Sequence, residues 1–152
     1  MSTKTHLKQK FDVWTDGSYR HKGNLAGIGY VIRHDGETHK GSRHLPSLSP
    51  GTIPFASDFV EIFAITAALR KIPEGSVVCL RSDCQNVIDW LQKREMRGKP
   101  QTRHALKSPF DQALQAIDRM ESVTFIKAGD RTNEGMRVAH ILAQTAAAPV
   151  RT

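Results

Sequence analysis

Residues 11–20 read "FDVWTDGSYR", and the role of the Asp16-Gly17 dipeptide within them organises the reading of the whole chain. Asp-Gly is a common two-residue hairpin turn, so a loop is one reading. A functional carboxylate set at a strand end is the other. Phe11 to Thr15 alternates apolar and polar side chains, with Phe11, Val13 and Thr15 on one face, and is expected to form a strand. A second Asp-Gly, Asp35-Gly36 in "RHDGETHKG", has strand signal on both sides and reads as a hairpin turn. After Asp16, by contrast, the next strand, "LAGIGYVIR", starts only at Leu25. Asp16 is therefore placed at the end of the first strand, at the start of a longer connection.

Working outward, Leu45 to Pro54 is a Pro/Ser/Gly loop, and Ser57 is the expected N-cap of a helix whose body begins "DFVEIFAITAALRK" at Asp58. Ser76 to Leu80 reads as a short buried strand. Helices are expected at Gln85 to Lys93 and from Pro109 to Met120, where Phe110, Leu114 and Ile117 share a face. Val123 to Ile126 is a last strand, and Glu134 to Ala147 a last helix with Val138, Ile141 and Leu142 turned inward. Three strands in a meander followed by alternating helices and strands predict an α/β fold with a mixed five-stranded sheet and helices against it. The expected organisation is a single domain over residues 11–147, with a loose basic N-terminus (1–10) and a loose C-terminus (148–152).

The 152 residues suit one domain, and 39% hydrophobic with 24% charged residues is a globular composition. No apolar run approaches the roughly 18 residues that a membrane span requires. "MSTKTHLKQK" lacks the apolar centre of a secretory signal. Cys79 and Cys84 match no zinc spacing and make a poor disulfide framework, which fits a reducing cytoplasm. Lys and Arg number 22 against 15 Asp and Glu, a net charge of +7 that favours an anionic partner, nucleic acid first. Six of those cations, Lys93, Arg94, Arg97, Lys99, Arg103 and Lys107, fall in one stretch that contains a single acid, Glu95. Such a cluster reads as a phosphate-contacting surface.

Three acids stand out. Asp16 is either a turn residue or a site carboxylate. Glu61 lies among Val60, Ile62, Phe63 and Ile65, where a carboxylate is costly unless it is paired or bound to a cation. Asp83 follows a strand and precedes a helix, so an N-cap and a site residue are equally good readings. Two aspartates on adjacent strands and a glutamate on the linking helix can converge on one point. Three anions crowd together only if a cation neutralises them, and Mg²⁺ accepts a few carboxylates plus waters and phosphate oxygens. Two such ions roughly 4 Å apart would activate a water and stabilise a leaving oxygen in phosphodiester hydrolysis.

At this point "FDVWTDGSY", "ASDFVEIFAITAAL", "VVCLRSDCQNVIDWL" and "VTFIKAGD…VAHILAQTAA" resemble type 1 ribonuclease H, in the family's order and over nearly the whole chain. The resemblance implies a ribonuclease H-like fold with helices on both sheet faces. It also implies metal-binding catalytic roles for Asp16, Glu61 and Asp83. The family's fourth acidic ligand sits in the last helix, where this chain has His140. His140 is read as the fourth catalytic, metal-binding residue, since an imidazole nitrogen can bind a metal, though it suits Mn²⁺ better than Mg²⁺; an exposed polar residue is the plain alternative. Where the family carries a mobile histidine this chain has Asp130, which is open between a proton shuttle, a substitute carboxylate and an ordinary loop residue.

The substrate contacts implied by the resemblance are Gly17 and Ser18 against the 2′-hydroxyls of the RNA strand, and Ser57 and Gln85 on the nucleic acid. Lys93, Arg94, Arg97 and Lys99 would form a shortened basic protrusion on the DNA strand. Asp58 stands where the family has an asparagine and would repel phosphate. The expected activity is metal-dependent endonucleolytic hydrolysis of the RNA strand of RNA–DNA hybrids, with 5′-phosphate products, Mg²⁺ or Mn²⁺ as a pair of ions, and a monomeric cytoplasmic enzyme. The alternatives are a catalytically lapsed hybrid- or duplex-binding module and a DNA-cutting, resolvase-like nuclease of the same fold.

Overall fold

A computed structural model describes residues 9–129 and 133–149. The meander comprises β1 (Lys10–Arg20), β2 (Leu25–His34) and β3 (Glu37–Leu45). A single 3-10 turn at Ile53–Phe55 then leads into α1 (Ala56–Leu69). The rest is β4 (Val77–Ser82), α2 (Gln85–Lys93), α3 (Pro100–Asp118), β5 (Ser122–Lys127) and α4 (Glu134–Ala146). The five strands lie in the order β3-β2-β1-β4-β5, with the meander antiparallel and the β1–β4 and β4–β5 pairs parallel. This is the mixed sheet that the order of elements predicts.

The two sheet faces are covered differently. On one, Phe11, Val13, Ile32 and Leu80 pack against Ile62, Ile65 and Leu69 of α1, and the same core takes in Val87, Ile88 and Leu91 of α2 and Leu106 and Phe110 of α3. On the other, α4 covers Trp14 and Val31 with Met136 and Ala139. It sits very close, because Gly27 and Gly29 of β2 carry no side chain. A Cβ on Gly29 would come to 2.6 Å from the backbone nitrogen of Ala143, and one on Gly27 to 2.7 Å from the carbonyl oxygen of the same residue.

Several expectations are corrected. The first strand does not stop at Thr15. It runs to Arg20, because β2 keeps pairing with it from Asp12↔Arg33 to Arg20↔Leu25. Lys10 belongs to this strand, opposite Val77, and is not part of a loose terminus. Ser57 is not an N-cap: the 3-10 turn feeds straight into α1, Phe55 holds the cap position, and Ser57 lies inside the first turn. Helix α3 starts nine residues before Pro109, with Pro100 in its first turn, where the missing N–H costs nothing. On α4 the buried residues are Gly135, Met136, Ala139 and Ala143, while Ile141 is 60% exposed. The close seat on the β2 glycines selects small residues for the inner face and turns Ile141 out. Asp35-Gly36 is a hairpin turn as expected, with φ of 50° and 79°, the geometry of a type I′ turn.

Candidate active site

The parallel pairing of β1 with β4 ends at Trp14↔Arg81, while β1 continues for six more residues against β2 alone. This leaves a notch beside the second half of β1, at the carboxyl end of β4. Crevices at the carboxyl ends of parallel strands are the usual ligand positions of such sheets. Asp16 sits in the notch, in mid-strand opposite Gly29, and is 3% exposed. Asp83 follows the last residue of β4 and is exposed. Glu61 enters from α1, 7% exposed. One carboxylate oxygen from each of Asp16, Glu61 and Asp83 lies within 4.8 Å of the others.

Gly17 ties the strand to the helix. Its N–H donates to Glu61 Oε1 at 3.0 Å. A Cβ on it would meet the Val60 carbonyl carbon at 2.7 Å, so only glycine allows α1 to approach this far. Glu61 Oε2 is buried and has no hydrogen-bond partner among the described residues. Burial holds the Glu61 carboxyl well above the usual carboxylate range; the neighbouring Asp16 carboxylate and then the charge of Asp83 push the same way, and the Gly17 N–H only partly offsets them. An orphaned oxygen in a knot of acids is the donor set that a hard divalent cation satisfies, so these residues fit such an ion.

His140, one-third exposed on α4, is brought to the same point: its Nδ1 lies 2.6 Å from Asp16 Oδ2. The ring is thus bonded to a carboxylate of the cluster through one nitrogen. The cleft, about 360 Å³, is lined by Asp16, Gly17, Ser57, Asp58, Glu61, Asp83, Cys84 and His140. Cys84 carries no site signal in the sequence, and Asp58 stands out there only as a residue that would repel phosphate. Asp58 stands three positions before Glu61, one helical turn away on the same face, and that spacing was the available signal. The Cys84 thiol donates to Asp58 Oδ1 at 3.7 Å. Burial raises the Asp58 carboxyl, and burial first, then the nearby carboxylates, pushes the Cys84 thiol up to about 12, so it stays a neutral donor.

The remaining predicted residues lie outside this cleft. Ser18 is half-buried on β1 next to Gly17. Gln85 opens α2 and its amide donates to Asp89. Lys93 ends α2, Arg97 and Lys99 are exposed in the short connection to α3, and Arg94 pairs with Asp118 at 2.9 Å. The basic run is therefore a compact α2–α3 corner rather than a long protrusion. Lys107 also spends its charge within the fold, on Asp111 at 3.0 Å. Asp130 lies outside the described residues.

A mixed five-stranded sheet with a carboxylate trio between its parallel strands and the first helix defines a class of α/β proteins built around an acidic cleft. The RNase H family profile matches residues 8–148, and the chain belongs to that family. It is 28% identical over 120 residues to a ribonuclease H of Mannheimia succiniciproducens, covering 72% of each chain. It is 25% identical over 138 residues to ribonuclease HI of Haemophilus influenzae, covering 84% of this chain and 85% of that one. Among solved structures, RNase H1 of the halophilic archaeon Halobacterium salinarum shares the fold with a TM-score of 0.69 at 22% identity, over 90% of this chain and 96% of that one. No helix among the described residues is long and apolar enough to cross a membrane.

Proposed function

We infer that the chain is a ribonuclease H-type endoribonuclease that hydrolyses the RNA strand of RNA–DNA hybrids. Family membership supports this, as does the fold shared with LC11-RNase H1, solved in complex with an RNA/DNA hybrid, at a TM-score of 0.64 and 21% identity over 90% of this chain and 98% of that one. The observation that carries the reading is the Asp16–Glu61–Asp83 group within 4.8 Å, with its orphaned Glu61 oxygen. These three carboxylates would hold divalent cations, Mg²⁺ or Mn²⁺, as a pair. When bound, such ions supply a water nucleophile at neutral pH and stabilise the departing 3′-oxygen, leaving a 5′-phosphate.

The chain's own residues do the rest. Gly17 holds Glu61 in place through its N–H, and His140 holds Asp16 through Nδ1. The backbone at Gly17 and Ser18 forms a surface for ribose 2′-hydroxyls, the feature that separates RNA from DNA. Ser57 donates to a phosphate from the cleft wall, and Gln85 faces the strand beyond Cys84. Lys93, Arg97 and Lys99, the cations of the α2–α3 corner without an internal carboxylate partner among the described residues, contact the DNA strand. The enzyme acts as a cytoplasmic monomer, and its two free cysteines agree with a reducing compartment.

The test is cleavage of a labelled RNA–DNA hybrid with Mg²⁺ and with Mn²⁺, beside RNA duplex, DNA duplex and branched DNA. Hybrid-specific cleavage yielding 5′-phosphate ends is expected; no cleavage with either ion, or cleavage of branched DNA alone, overturns the reading. Removing both Arg97 and Lys99 as Ala should lower the slope of log affinity against log salt by about 2 units, one per lost phosphate contact, measured by hybrid binding at several ionic strengths.

A further inference from the structure

The cleft holds one carboxyl that the three-carboxylate group does not use. Asp58 lines the same cavity as Asp16, Glu61 and Asp83, and the Cys84 thiol, on the same wall, donates to its Oδ1. It is half-buried, with no basic partner among the described residues, an arrangement that costs free energy unless something else compensates it. Across the cleft, His140 occupies the position where the family resemblance places a fourth acid. The chain has therefore lost a carboxylate on α4 and carries one on α1, in the same cavity. Glu61 Oε2, buried and without a partner, independently points to a cation in that cavity.

We propose that Asp58 supplies the fourth negative charge of the cation site, from the α1 wall instead of the α4 wall, and draws the more weakly held of two divalent ions toward Ser57, Asp58 and Cys84. This rests on the cation reading above. Asp58 is not within the 4.8 Å group, so it acts on the ion through the water shell that Mg²⁺ and Mn²⁺ characteristically keep. His140, bonded to Asp16, is a positioning residue in this arrangement. The Cys84 thiol has the same standing toward Asp58.

The experiment is a Mn²⁺ titration of the metal-free full chain, with free Mn²⁺ read by electron paramagnetic resonance. The wild type should bind a tighter and a weaker ion. Asp58→Asn, which keeps the side-chain shape at this half-buried position, should retain the tighter ion and weaken the other by about tenfold or more. Adding His140→Asp to Asp58→Asn should restore the weaker ion, and a melting curve for each variant checks that it is folded. An Asp58→Asn protein that binds both ions like the wild type overturns the proposal, and so does a double variant as weak as Asp58→Asn alone. A wild type that binds no Mn²⁺ would instead remove the cation reading on which it rests.

Discussion

The two Asp-Gly dipeptides of this chain are chemically identical and do opposite work. Asp35-Gly36 is a turn: both residues have positive φ, Asp35 is exposed, and a Cβ on Gly36 would meet nothing within 4 Å. Asp16-Gly17 is extended backbone inside β1, with the aspartate buried and the glycine pressed against α1. The first kind of glycine is selected by dihedral angle and the second by space. Likewise the exposed aspartate serves local turn chemistry, whereas the buried one belongs to a site assembled from a strand, a helix and a strand end.

Removing the charge at each place separates the two aspartates most widely. Asp16→Asn should reduce kcat on a hybrid substrate by about 10³-fold or more, the scale of losing a group that stabilises the transition state directly. Asp35→Asn should leave kcat within about twofold, as expected for a surface residue outside any site. Equal effects would show that burial and company are not what distinguish the two aspartates. Next comes alanine at each glycine. Gly17→Ala must displace Val60 and with it Glu61, an overpacking cost of about 1–3 kcal/mol in urea unfolding, with lost activity. Gly36→Ala meets no neighbour and pays only for positive φ, about 1 kcal/mol, with activity intact.

A smaller effect sharpens the same point through pH. The Glu61 carboxyl lies above its ordinary value of 4.5 in the folded protein. Its contribution to stability is therefore fully present below that ordinary value and is lost as pH rises through the folded one. In the metal-free protein, Glu61→Gln should match the wild type near pH 4 and melt several degrees higher at pH 8, at about 2–4 °C per kcal/mol. Added Mn²⁺ should close the gap by stabilising the wild type alone. A wild type that melts with the same pH profile as Glu61→Gln would mean that Glu61 carries no such burden.

Much of this was legible in the sequence because it depended on local pattern. Element order, the hairpin at Asp35-Gly36 and the odd placement of Glu61 in an apolar helix are all one-dimensional signals. The extension of β1 past Asp16 was not, because "GSYR" carries no strand pattern of its own and is held extended by β2. The start of α3 is carried by local pattern too: Leu106, Phe110, Ala113 and Ile117 keep a helical spacing through Pro109, and Pro100 marks the first turn. Of the site, the three acids could be found singly, but their convergence depends on where the β1–β4 ladder stops. The pairing of His140 with Asp16 joins residues 124 positions apart, beyond the reach of any local pattern.

The seat of α4 on Gly27 and Gly29 has a consequence for how this position can change over time. A helix resting backbone to backbone on a strand can neither roll nor slide without a collision, so the residue at 140 is delivered to the same spot whatever its side chain. Exchanging an acid for an imidazole there alters the chemistry of the cleft and leaves the scaffold where it was. The two glycines thereby separate where residue 140 stands from what it is: the helix fixes the place, and the side chain alone decides what meets Asp16.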